Sequence, residues 1–437
     1  MNKHKIVKNA SWIIGIQLVK AVLGIFVSML TARFLGPSDF GLINYAASIV
    51  AFVTPIMNLG LTGVLVQELV NSPEDEGKIL GTSVSLSFFS SLLCIAGVVS
   101  FAATVNHGET ETLIVCALYS ILLIFQSLEL VLYWFQAKLL SKYSSVVSLI
   151  AYFSVSAYKI FLLATHKSIY WFAVSNALDY MIIAFGLLIL YKKLGGRPLR
   201  FDRQTAVRLF SKSRYYIVSN MMITIFAQTD RIMLKLMIDD AATGFYSAAV
   251  TCATMTGFVF SAIIDSFRPM IFDSKKKDEK LYEKDMCLLY GIIIYCSLLQ
   301  CVFISLFSGI IIRILYGAAF GEAVNALRIV VWYTTFSYLG AVRSIWILAE
   351  NKQKYLWGIN LSGAVANILL NAVLIPVLGI CGAALASLIT QIFTNVIIGF
   401  ILRPIRHTNT LMLRSLNPKE TFGQIWLMFR SRKNRVR

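Results

Sequence analysis

Apolar residues run along this chain in blocks of about 20, divided by short polar stretches. They fall at about 11–33, 41–66, 83–104, 113–136, 144–165, 169–191, 214–237, 243–267, 287–312, 327–349, 355–377 and 379–402. Wound as an α-helix, such a block crosses the roughly 30 Å of hydrocarbon in a bilayer. The two-residue alternation of a membrane β-barrel is absent from the pattern, which therefore predicts twelve membrane-spanning helices. Lys3, Lys5 and Lys8 precede the first block as they would precede a secretory signal. That block is too long for a signal's apolar core and reads as a retained span.

Composition agrees. Of 437 residues, 57% are hydrophobic and 14% charged, against about 25% charged in soluble domains. The net charge of +18 would suit a nucleic-acid partner until the charges are placed. Of the 40 Lys and Arg, 31 lie in the termini and the loops joining even to odd spans, five lie at the opposite face and four within spans. That asymmetry predicts a multi-pass protein of the cytoplasmic membrane, with both termini in the cytoplasm and no nucleic-acid role. The 67–82 loop departs from it, setting Glu68, Glu74, Asp75 and Glu76 against Lys78. Seven cysteines, all within spans, and four scattered histidines lack ligand spacing, so neither metal nor cofactor is expected.

A shift of 203 residues superimposes the start of span 1 on span 7 and span 2 on span 8. Asn44, Ser48, Ala51, Pro55, Asn58 and Thr62 step along one helical face of span 2, and the shift carries them to Ser247, Thr251, Thr254, Phe258, Ser261 and Asp265. Gly41 falls on Gly244. Gln17, Lys20, Gly24, Ser28 and Thr31 stripe span 1, and Asn220, Thr224, Gln228, Arg231 and Lys235 stripe span 7. Two six-helix halves of like orientation predict pseudo-symmetric lobes with polar stripes on a central cavity. Close packing of small and polar residues between helices would produce similar stripes. The expected organisation is a first lobe 1–196, a basic cytoplasmic linker 197–213, a second lobe 214–404 and a basic tail 405–437.

Charges within spans narrow the function, because each costs about 2.5–3.5 kcal/mol at the bilayer centre unless a partner or a wet cavity receives it. Lys20 and Asp179 stand near the centres of spans 1 and 6. Lys159 lies in the outer half of span 5, and Glu129 and Arg343 lie toward the inner ends of spans 4 and 10. Asp265 and Arg268 sit near the inner end of span 8. Asp230 is turned about 100° from Arg231 and should meet another helix, and Lys235 could snorkel to the outer interface. Buried ion pairs would explain many of these charges; otherwise the excess of cations suits an anionic ligand. Asp179 and Asp265 are the candidates for coupling transport to an ion. Two segments, 197–214 and the helix marked by Phe422, Ile425, Trp426 and Phe429, pair aromatic and aliphatic residues with Lys and Arg, as expected of helices lying on anionic lipids.

Three stretches, "TARFLGPSDFGLINYAASI" (31–49), "YWFQAKLLSKYSSV" (133–146) and "ENKQKYLWGINLSGAVANILLNAVLIPVLGICGAALASLITQ" (350–391), resemble the bacterial polysaccharide, or O-antigen type, flippases. These belong to the multidrug/oligosaccharidyl-lipid/polysaccharide exporter superfamily. The resemblance implies movement of undecaprenyl-diphosphate-linked oligosaccharide across the bacterial inner membrane by alternating access of two lobes, for lipopolysaccharide and other surface glycans. Polysaccharide polymerase and glycosyltransferases are then expected partners. By position, it gives Lys20, Arg231 and Lys235, with Lys159, Arg268 and Arg343, the role of holding the diphosphate. Gln17, Asn44, Asn58 and Gln228 on the polar stripes are further candidates for substrate binding. A multidrug exporter of the same superfamily would carry a more acidic and aromatic cavity. A sugar facilitator would show a basic Gly-rich loop 2–3. A membrane glycosyltransferase or ligase needs a large outer loop, and the outer loops here are short. The chain lacks GxxxxGK[ST], so no P-loop hydrolyses ATP, and a transporter rather than an enzyme is expected.

Overall fold

A computed structural model describes residues 3–418, with side-chain surroundings given from residue 19 onward apart from residue 21. The described residues are helical, with no strand among them. Helical segments stand at all twelve expected positions. Eight helices are long and apolar enough to cross a membrane, and nine if Asp240–Thr254 and Gly257–Lys277, bent by 42°, form one span. Part of the difference from twelve is a matter of continuity. Lys3–Met57 is one helical stretch holding the first two expected spans, broken at Gly36. There φ is +77°, a conformation glycine adopts without a Cβ penalty, and Pro37 then starts the second arm. Arg203–Met237 and Ala323–Ala349, at expected spans 7 and 10, carry charges at membrane depth and fall outside the eight.

By compactness the chain divides into two units, Met1–Gly244 and Phe245–Arg437. In the first, Lys3–Met57 packs against Arg203–Met237, Ser141–Ala164, Thr110–Ser120 and Glu76–Val105. Leu42, Tyr45, Ile49, Val98 and Val115 form one core, and Leu61, Leu80, Trp134, Phe135 and Leu187 another. The segment expected as span 4 is interrupted, running through Thr110–Ser120, Leu122–Leu128, a 3₁₀ turn at Glu129–Val131 and Leu132–Ala137. In the second unit, Glu279–Leu315 and Ala323–Ala349 pack side by side over Tyr290, Ile293, Val342 and Trp346.

The basic stretch 197–213 is more ordered than a linker. Arg200 donates its backbone N–H to the Gly77 carbonyl at 3.0 Å, and Asp202 donates its own to Thr82 Oγ1 at 2.9 Å. Asp202 then caps the helix Arg203–Met237 by accepting from the Thr205 N–H at 2.7 Å. The Thr205 hydroxyl and N–H hold the Asp202 carboxyl below its usual range. The acidic 67–82 loop now has an explanation. Glu68 pairs with Lys212 at 2.5 Å and Arg208 at 3.6 Å, and Glu76 pairs with Lys138 at 2.9 Å. Glu68 answers the basic stretch beside it, and Glu76 answers Lys138 from the loop between the fourth and fifth expected spans.

The tail helix expected at Phe422, Ile425, Trp426 and Phe429 lies outside the described residues. Ahead of it the chain forms a helix, Arg406–Arg414, that the apolar pattern did not announce. Leu411 and Met412 enter the second unit's core, His407 pairs with Glu283 at 2.8 Å, and Tyr295 donates to the Leu416 carbonyl at 2.8 Å.

Candidate functional site

Two polar cavities open in the first unit, of about 520 Å³ and about 230 Å³, sharing Ala47, Tyr119 and Asn176 in their walls. Thr54, Gln126, Asn176, Asp179, Tyr180 and Gln228 give the larger one its polar lining. Ser28, Thr31, Asn44, Tyr152 and Lys159 line the smaller. Both arms of Lys3–Met57 contribute, together with Ser141–Ala164, Ile169–Lys193 and Arg203–Met237. Apolar helix faces turned to the core or outward leave the polar stripes on the remaining side.

Lys159 donates from Nζ to Asn176 Oδ1 at 3.1 Å, and Asn176 donates to the Phe172 carbonyl at 3.3 Å. Lys20 stands over the Tyr152 ring, 5.7 Å from its centre. The charges of both lysines reach Asp179, and that of Lys20 also reaches Glu129. Asp179 Oδ1 and Gln126 Oε1 are buried without a hydrogen-bond partner. The cluster thus sets Lys20 and Lys159 against Asp179 and Glu129. A third corner centres on Gln228, whose Oε1 accepts from the cationic Arg231 Nη1 at 2.9 Å and from Ser48 Oγ at 3.0 Å. An arrangement of this kind can hydrogen-bond hydroxyl groups and can exchange one counter-ion of a lysine for another.

Lys20, Lys159, Asp179, Asn44, Gln228 and Arg231 therefore belong to one neighbourhood. Other residues singled out in the sequence stand elsewhere. Lys235 is buried in an ion pair with Glu109 and Asp240, each at 2.7 Å, and neither snorkels nor faces the cavities. That bond and one from Thr112 hold the Glu109 carboxyl below its usual range. Asn58 sits where the helix ends and its carbonyl accepts from Leu61 N–H at 2.9 Å. Asp265 and Arg268 pair with each other at 3.1 Å on an exposed face of the second unit. Arg343 is enclosed in that unit's core, donating to Asn395 Oδ1 at 2.9 Å. Asp230 is buried, as its turn away from Arg231 suggested. The side chain of Gln17 lies outside the described residues. Gln126, Asn176 and Tyr180 were not singled out. Their signal was polar residues three or four apart within apolar spans, Gln126 with Glu129 and Asn176 with Asp179 and Tyr180.

The chain is similar to two uncharacterised membrane proteins of Methanocaldococcus jannaschii. It is 27% identical to MJ1375 over 59% of this chain and 63% of that relative's length. It is 24% identical to MJ1068 over 88% of this chain and 81% of the relative. Among solved structures it resembles the lipid II flippase MurJ in its inward closed conformation, with a TM-score of 0.71 at 15% identity, covering 92% of this chain and 90% of that one. An inward-facing multidrug resistance MATE transporter of the MOP superfamily gives 0.66 at 10% identity, covering 91% and 96%. At such identities these likenesses establish a shared transporter fold. The family model described as polysaccharide biosynthesis protein matches residues 6–275, more than half of the chain. This chain belongs to the polysaccharide biosynthesis protein family, a multi-pass membrane family on a MurJ- and MATE-like fold.

Proposed function

We propose that the chain moves a lipid-linked oligosaccharide carried on undecaprenyl diphosphate across the cytoplasmic membrane. The observation that carries this reading is the polar chamber of the first unit, lined by Lys159, Asp179, Asn44, Asn176 and Gln228, with the charges of Lys20 and Lys159 both reaching Asp179. A diphosphate arriving there competes with Asp179 for the two lysines, strongly so in a site of low dielectric. Amide and hydroxyl groups in the walls meet sugar hydroxyls. Displaced from the lysines, Asp179 takes a proton or a sodium ion in place of their charge, which would couple transport to an ion gradient. Arg231, already bound to the chamber residue Gln228, adds a third cation to the diphosphate's path. Lys235, Arg268 and Arg343 are assigned no substrate role, because the first two have carboxylate partners and the third is enclosed.

One observation favours a second reading. The charged residue lining the larger cavity is Asp179, accompanied by Tyr119 and Tyr180, a combination that suits an organic cation. Surface glycan and drug resistance, measured in the same cells with expression level, separate the two. A flippase loses glycan export in Lys20→Ala and Lys159→Ala at unchanged expression. A drug exporter keeps glycan export in those variants and loses resistance in Asp179→Asn.

A further inference from the structure

Arg343 poses a problem that the chamber of the first unit does not solve. Its side chain is 4% exposed, among Tyr290, Val342, Ile345 and Trp346 in the core of the second unit. Asn395 Oδ1 receives Nη2, while Nε and Nη1 have no hydrogen-bond partner. No ion pair among the described residues involves it, and the ionisable side chain in its surroundings, Tyr290, is a buried and uncharged phenol. A guanidinium stays charged in any protein environment, and a charge is retained in an apolar interior only with compensation.

The backbone around it is built to bring polar atoms in. Asn395 stands on a π-helical turn, Phe393–Ile397, inside the last span, a local widening that often marks function. Its Nδ2 donates to Gln391 Oε1 at 2.5 Å, which orients Oδ1 toward the arginine. Gly340, one turn before Arg343, makes room for it: a Cβ there would stand 2.3 Å from Asn395 Oδ1. The asparagine fixes one edge of the guanidinium and leaves Nε–H and Nη1–H₂ directed into the core.

We propose that Arg343, positioned by Asn395 and the π-turn, binds a small monatomic anion, chloride in the cell, within the second unit. Water could accept from Nε or Nη1 but would leave the charge uncompensated, whereas a halide does both. Enclosure selects a monatomic ion over phosphate or a lipid headgroup. Bound there, the ion holds Ala323–Ala349 against the last span, so halide supports the folded second unit and takes no part in recognising the transported substrate.

The test uses the purified full-length protein in detergent, heated in sodium chloride, bromide or gluconate at equal ionic strength. Chloride and bromide should raise the unfolding midpoint saturably, by about 2–4 °C. The rise should shrink in Asn395→Ala and vanish in Arg343→Leu. Equal midpoints in all three salts, or a halide effect that persists in Arg343→Leu, would overturn the assignment. Should Arg343→Leu fail to accumulate, crystals of the unaltered protein grown in bromide decide. An anomalous peak beside the guanidinium supports the site, and its absence there refutes it.

Discussion

Gly41 and Gly244 lie in reciprocal contact. A Cβ on Gly41 would stand 1.7 Å from the carbonyl oxygen of Asp240, and one on Gly244 would stand 2.0 Å from that of Pro37. Each partner is its counterpart's partner displaced by 203 residues, the shift that aligns the two halves of the sequence. The start of the second helix in each half therefore meets its equivalent backbone to backbone, and no side chain can be inserted. Gly41→Ala or Gly244→Ala should cost about 1–3 kcal/mol or more through overpacking against carbonyls that cannot rotate away. Gly97→Ala, with nothing within 4 Å of its Cβ, should instead gain about 0.5–1 kcal/mol. Thermal unfolding of the three purified variants checks the ordering, and equal midpoints would remove the close approach.

Lys235 joins Glu109, in the turn before Thr110, to Asp240, which opens the next helix. Its side chain is 5% exposed, while that of Glu109 is 47% exposed. Lys235→Met leaves two carboxylates without their cation and should cost about 2–4 kcal/mol, less than a fully buried pair because Glu109 is screened by water. Adding Asp240→Asn should recover part of that loss. Unfolding midpoints of the single and double variants give the answer, and additive losses would contradict the pairing.

Acid should weaken the same contact. Glu109 is held below its ordinary value of 4.5 in the folded protein. Its contribution is therefore complete above pH 4.5 and is lost as pH falls below it, since the unfolded chain then binds the proton more readily. The midpoint of the unaltered protein should drop more between pH 5 and pH 3 than that of Glu109→Gln. Parallel curves would show that Glu109 adds nothing.

Water in the chamber is a separate claim. In a variant lacking the exposed Cys296 thiol, Thr54→Cys, Gln126→Cys and Asn176→Cys should react with a membrane-impermeant thiol reagent. Val115→Cys and Leu187→Cys, at fully buried positions, should not. Equal labelling at both sets of sites would mean that the chamber does not admit water.

Much of this architecture was legible in the sequence because a membrane imposes long periods that short-range chemistry cannot disguise. Blocks of apolar residues located the helices, and the 203-residue shift found the Gly41–Gly244 pair. Helix breaks were partly readable: Gly36 before Pro37 is a stop followed by a start, whereas the 3₁₀ turn at Glu129–Val131 has no glycine or proline to mark it. The chamber was harder. Lys20, Lys159 and Asp179 announced themselves by cost, but spacing along one helix cannot say which helix faces it, and so the grouping of Lys159 with Asn176 was not legible. Lys235 had the same signature as Arg231, and its ion pairs with Asp240 and with Glu109, the latter over a hundred residues away, set it apart. The acidic loop 67–82 read as an irregularity until the partners of Glu68 and Glu76 were in view.

The central claim is that the chamber around Lys20 and Lys159 carries a diphosphate-linked glycan across a bilayer. Its most direct test places the purified protein in vesicles loaded with undecaprenyl-diphosphate-linked oligosaccharide and follows the glycan's exposure to an external lectin. The unaltered protein should bring glycan out from the inner leaflet. Lys20→Ala and Lys159→Ala, reconstituted in equal amounts, should slow that appearance at least about tenfold, the factor expected when roughly 1.4 kcal/mol of anion binding is lost. Unchanged rates in both variants, or protein-free vesicles matching the unaltered protein, would contradict the account.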